Sequence, residues 1–151
     1  MHELDDSLRR AIERHRQATT KVRSGDPTAF VDQLSTHDPV TLFPASQPGQ
    51  TGWTDVSQAI RRVASVYSGS SAVDFDVVAA GVSGDLAYVV GYERVASSIA
   101  GGADENVTLR VTQVYRREDG DWKLAHRHAD PGIGSAGADR LREAMRDRQS
   151  Q

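Results

Sequence analysis

The sequence contains no cysteine, which excludes disulfides, thiolate catalysis and cysteine-ligated metal while leaving the compartment open. Runs of 18 or more apolar residues are also absent, so no segment reads as a membrane-spanning helix. A basic stripe is missing. The formal net charge is -3, with acidic and basic residues mixed along the chain, which argues against nucleic acid as the principal partner. The first residues, Met1-His2-Glu3-Leu4-Asp5-Asp6, are acidic without an apolar run and do not read as a signal peptide. No Gly-x-Ser-x-Gly or other nucleophile motif occurs, no phosphate-cradling glycine pattern surrounds Gly49 and Gly52, and no internal repeat is visible. These absences lead to the expectation of a soluble, cytoplasmic protein without nucleic-acid or membrane partners.

What is present suffices for a core. Apolar residues make up 38% of 151 residues and charged residues 26%, a composition that fits one globular domain. Leu4, Leu8, Ala11, Ile12, His15, Ala18 and Val22 recur at helical spacing, predicting an amphipathic helix from about residue 4 to 23, stopped by Ser24-Gly25. Asp26-Pro27 offers an N-cap followed by proline at a helix start, with Phe30, Val31 and Leu34 as the buried stripe. A short strand follows around Pro39 to Phe43. A third helix is expected from Thr54 or Asp55, where Asp55-Val-Ser-Gln58 matches a capping box, and Ser68-Gly-Ser-Ser71 ends it.

From residue 72 the period becomes alternating. Val73, Phe75 and Val77 mark one strand, Leu86 to Ser97 a second, Val107 to Arg116 a third and Trp122 to Asp130 a fourth. Turns are expected at Ser83-Gly84-Asp85, around Gly101-Gly102 and at Glu118-Asp119-Gly120, and Pro131-Gly132 ends the sheet. Residues 1–133 are read as the domain and 134–151 as a C-terminal tail, a marginal helix or a frayed end with only Leu141, Ala144 and Met145 on one face. Three helices followed by antiparallel strands give an α+β arrangement with the helices over one face of the sheet.

Side chains alternate across a strand, so each strand has an inward and an outward set. Trp122, Leu124, His126, His128 and Asp130 share one parity, and its large apolar start marks it as inward. A hairpin closed around Asp119 would pair Val114 with Leu124, Thr112 with His126 and Arg110 with His128. In the strand before, Ala87, Val89, Gly91 and Glu93 share a parity. A regular register then aligns Glu93, Arg110 and His128 in one row and Gly91, Thr112 and His126 in the next, where glycine leaves room for a ligand. A bulge would reverse the parity of everything beyond it. Tyr92, Gln113 and Ala125 take the outward parity, a face with few charges that suggests a dimer surface.

The expected inner face carries His126 and His128 as proton-transfer groups, Glu93 as their orienter or alternative base, and Arg110 as anion binder, with Thr112 beside it. The same residues also fit a structural ion pair with hydrogen-bonded core histidines. His126 and His128 with Glu93 have metal-ligand types, but Arg110 in the same row repels a cation, so no metal is expected. Trp53 is a candidate ligand contact, with a packing role as its alternative; His37-Asp38 reads as an exposed loop pair.

The stretch from Leu109 to Asp130 resembles the terminal hairpin of the nuclear transport factor 2-like superfamily, in its SnoaL-like branch, and Gly84 to Glu93 is similar to the preceding strand. The resemblance covers most of residues 4 to 130. It implies a conical fold, three N-terminal helices packed on a strongly curved antiparallel sheet enclosing a pocket, and a homodimer. The family pattern of Arg and Thr, then His-x-His, falls on Arg110, Thr112, His126 and His128. The superfamily holds ketosteroid isomerase, cyclases, dehydratases and epoxide hydrolases, and also a non-catalytic association domain. No motif here matches the carboxylate base and tyrosine-acid oxyanion hole of ketosteroid isomerase, so that reaction is not carried over. The resulting expectation is a small-molecule pocket protein doing cofactor-independent acid–base chemistry on a small apolar or carbonyl-containing metabolite. The alternative is a non-catalytic ligand-binding or dimerisation module.

Overall fold

The computed structural model describes residues 4–68, 72–99, 104–131 and 136–150. Helix α1 (Asp6–Val22) buries Leu8, Ala11, Ile12, His15, Ala18, Thr19 and Val22 along one stripe, and the Asp5 carboxylate caps it by accepting from the Ser7 and Leu8 amides. The Asp26 side chain accepts from the Thr28 amide at the start of the short helix α2 (Thr28–Asp32). After strands β1 (Thr41–Phe43) and β2 (Gln50–Thr51), α3 spans Trp53–Val66. It begins at Trp53 rather than at the expected Asp55 box, and no side chain caps it. Gly52, at φ +92°, turns the chain straight from β2 into the helix, which leaves Asp55 inside the first turn.

The sheet runs β2-β1-β7-β6-β5, with β5 (Leu86–Ile99), β6 (Asp104–Glu118) and β7 (Asp121–Pro131) as its long antiparallel centre. The far edge of β5 pairs with β4 (Val73–Ser83) over most of its length and with β3 (Tyr67–Ser68) near its end. Among the described strands, β1 and β7 are the pair that runs parallel. The sheet is curved and unclosed, and α1, α2 and α3 pack on its concave face around a core that includes Leu8, Phe30, Leu42, Val56, Val89, Tyr115, Trp122 and Leu124. The expected α+β cone is therefore the fold. Expectations at Gly101-Gly102, at most of Ser68–Ser71 and at Gly132 fall outside the described residues.

Two features of the β6–β7 hairpin correct the expected register. Asp119 and Gly120 both have positive φ and form a two-residue turn, so Leu124 pairs with Tyr115 rather than with Val114. Ala125 is then an extra residue: the register steps from Tyr115–Leu124 to Val114–His126. This bulge reverses the parity of everything after it. The first correction turns Arg110, Thr112 and Val114 outward and Gln113 inward; the second turns His126 and His128 outward and Arg127 inward. Ala125 itself is buried, not part of an outer surface.

The last element, α4 (Ala136–Gln149), is a full helix rather than a frayed end. Leu141 and Met145 are buried against Val66 and Tyr67. Each such burial is worth about 1.5–3 kcal/mol, enough to seat a helix that is otherwise polar. Among the described residues, no helix is long and apolar enough to cross a membrane.

Candidate functional site

Among the described residues, the concave face carries one cluster of ionisable groups. Glu93 of β5, inward as its parity predicts, is 2% exposed and accepts from Arg127 Nη2 at 2.9 and 3.1 Å. Arg23, the residue that ends α1, reaches the same carboxylate at 3.3 Å. Arg127 Nη1 lies 3.4 Å from His15 Nε2, and His15 Nδ1 lies 3.3 Å from Gln33 Oε1. A guanidinium can only donate, so His15 must accept at Nε2 and carry its proton at Nδ1, donating to Gln33. Beside them the buried Tyr115 hydroxyl donates to Gln113 Oε1 at 2.6 Å.

Burial governs the charges. It disfavours protonation of His15, and Arg127 adds repulsion, so the imidazole pKa falls to about 3 and the ring is neutral at physiological pH. Burial pushes the Glu93 carboxyl upward, but Arg127 and then Arg23 outweigh it and hold the group below the ordinary carboxylate value. A carboxylate so held is a weak base.

A cavity of about 50 Å³ opens beside this cluster, walled by Arg23, Arg127, Thr19 and Ser46 and by apolar side chains that include Phe30, Ile60, Val63, Leu109 and Leu141. It has room for a few water molecules but not for a metabolite. Leu141 of α4 closes one side of it.

The other expected site residues lie elsewhere. Arg110, Thr112, His126 and His128 do come together, on the outer face of the sheet. Arg110 Nε donates to Asp130 Oδ1 at 2.6 Å, and His128 Nε2 stands 3.7 Å from Asp130 Oδ2. Thr41 bonds His126 Nδ1 at 2.7 Å, and the Phe43 ring meets both imidazoles edge-on. Partial burial, with His128 nearby, lowers the His126 pKa against an opposing hydrogen bond to the Thr41 backbone. A shallow groove of about 260 Å³ runs past His128, Arg110, Thr112 and Tyr92. Glu93 is on the opposite face, so the row Glu93–Arg110–His128 and any joint ligation with the histidines do not form. Gly91 lines this outer groove but not the interior cavity. A Cβ there would collide with the Asp76 carbonyl and the Phe75 ring, so the glycine admits strand β4. Trp53 is exposed and does not line the interior cavity.

The SnoaL-like domain family matches residues 13–133. The chain belongs to this family. A crystal structure from Streptomyces avermitilis, named as a candidate dehydratase of the NTF2-like family, superposes with a TM-score of 0.71 at 21% identity, over 85% of this chain and 96% of that one. A candidate calcium/calmodulin-dependent protein kinase type II association domain from Thiobacillus denitrificans gives 0.69 at 18% identity, over 87% and 99%. A ketosteroid isomerase-like protein from Erwinia carotovora atroseptica gives 0.68 at 17%, over 83% and 93%. At these identities the likeness is one of fold. No curated protein matches the chain.

Within the SnoaL-like frame, the residues that sequence reasoning misses are Arg127, Arg23 and His15. His15 has a readable signal, since it lies on the apolar stripe of α1. Arg127 has one only for a reader who takes Asp119-Gly120 as a two-residue turn and then sets a bulge at Ala125. Arg23 sits at a helix end, and nothing in its local pattern marks it as buried.

Proposed function

We propose that this SnoaL-like chain is a small-molecule binding protein whose interior cavity, enlarged by movement of α4, takes a compact and largely apolar ligand. One observation carries the reading: the guanidiniums of Arg127 and Arg23, both held by the buried Glu93 carboxylate, stand in the wall of a largely apolar cavity. Such a layout, apolar walls with few fixed polar groups, is what small-molecule sites use for orientation. Turnover is the second reading. It is supported by the two guanidiniums on the wall, which are suited to stabilising negative charge on a ligand carbonyl oxygen, and by a family that includes isomerases, cyclases and dehydratases. Against it, Glu93 is a weak base and both nitrogens of His15 are engaged, so binding comes first. The test is thermal unfolding with a panel of small apolar carbonyl compounds. A ligand should raise the midpoint of the wild type, and Ala129→Leu, which fills the cavity, should abolish that rise. Equal shifts in both proteins, or none in either, would remove the interior cavity as the site.

We also propose a homodimer formed through the outer face of the sheet. Phe43, Val78, Leu86, Tyr88 and Tyr92 are large, exposed and gathered there, and the pairs Arg94–Asp76 and Arg110–Asp130 lie among them. Apolar groups mixed with matched charges fit a self-complementary surface. Sedimentation velocity of the full chain decides this; a monomer at tens of micromolar would refute it.

A further inference from the structure

Among the described residues that line the interior cavity, all but one fall within residues 13–133, the segment that the SnoaL-like family matches. The exception is Leu141, which reaches the cavity from α4. The domain itself thus walls the pocket, and a side chain from the helix that follows it closes the space.

Helix α4 has a small seat for its length. From Arg140 to Gln149, Leu141 and Met145 are buried, Arg142 and Ala144 are half-buried, and the rest are exposed. The two buried side chains pack with Val66 and Tyr67 in a cluster separate from the main core. Val63 packs against both clusters and also lines the cavity, so it joins the seat to the pocket. Arg142 Nε donates at 3.2 Å to the carbonyl of Ala45, another lining residue. A helix of 14 residues is marginal without tertiary packing. What two side chains seat can therefore be unseated as a unit.

We infer that α4 is an internal plug of the pocket: Leu141 holds the place that the apolar end of a ligand takes, so ligand and helix compete for one space. This rests on the pocket reading above and adds how that pocket is regulated. The cavity of about 50 Å³ is the plugged form. Only the unplugged fraction of molecules binds, and the apparent affinity is reduced by that fraction. The coupling is reciprocal, so a bound ligand loosens α4.

The experiment titrates 2-heptanone, an apolar carbonyl compound, into full-length wild type, Leu141→Ala and Met145→Ala by calorimetry. Met145 does not line the cavity, so truncating it weakens the seat without itself widening the pocket. Both variants should bind about tenfold more tightly than wild type. Hydrogen exchange on the wild type gives a second readout that needs no variant to fold: saturating ketone should speed exchange of the α4 amides. Unchanged or weaker binding by Met145→Ala, whatever Leu141→Ala does, would make α4 a fixed wall. So would α4 exchange that the ketone slows or leaves alone. Either result would overturn the plug and leave the pocket standing. Binding by none of the three proteins would remove both.

Discussion

The two faces of the sheet hold the same chemistry at different depths. Inside, Arg127, Arg23, Glu93 and His15 form one bonded group, with side-chain exposures of 7%, 6% and 2% for the three charged members. Outside, Arg110, Asp130 and His128 repeat the set at 59%, 37% and 49%. Residue type is thus a poor guide to what an ion pair does. Inside, water has been removed and each charge depends on its partner; outside, water screens the pair and replaces a lost partner. The inner group can orient a ligand because it is fixed. The outer one is better suited to matching a second surface.

The largest effect that would test this contrast comes from removing one member of each set. Glu93→Ala leaves two guanidiniums buried without their carboxylate and should destabilise the fold by about 3–5 kcal/mol. Arg110→Ala breaks a 2.6 Å bond of its own, yet should change subunit stability by about 1 kcal/mol or less. Urea unfolding of both variants under conditions that hold the oligomeric state constant reads the difference. Similar losses would show that depth does not separate the two groups.

Why the sequence reveals one group and disguises the other follows from single residues. Strand β5 is legible because Gly84-Asp85 sets its start and the small apolar Ala87 and Val89 mark its inner side, which carries Glu93 inward by simple alternation. The helical stripe of α1 likewise shows His15 facing the core. The β6–β7 hairpin is not legible in this way. Period-two reasoning has no tolerance for one residue, and here two single-residue effects occur in sequence: the turn is two residues long, and Ala125 is added. Each reverses one strand. Because both reverse, Arg110, Thr112, His126 and His128 remain neighbours as the pattern predicts, but on the opposite side of the sheet from Glu93. The bulge is tertiary in origin. It lets Leu124 fill the core, with its amide donating to the Gln33 carbonyl, while Arg127 reaches Glu93. No local signal at Ala125 announces it. Tyr67 is hidden for a related reason, since its burial depends on α4, whose three apolar residues look too few to hold a helix until Val66 and Tyr67 are seen as their seat.

Acidity should separate the two faces more gently. His15 keeps its proton off in the folded state down to about pH 3, whereas the unfolded chain takes it up near pH 6.5. Between those values the unfolded state binds more protons, so stability rises with pH across the window and is lost on acidification, at up to about 1.4 kcal/mol per pH unit. Glu93, with its folded pKa depressed, adds a loss of the same sign only below its ordinary value of 4.5. His126 is also lowered, but it is only partly buried, so its share of the slope is the smaller. The window from pH 7 to 5 therefore isolates the histidines. Over that range His15→Gln should flatten the dependence of unfolding free energy on pH, and His126→Gln should leave most of it in place. If His126→Gln removed more of the slope than His15→Gln, the group that resists protonation would lie on the outer face, and the inner cluster would lose its claim to be the drier of the two.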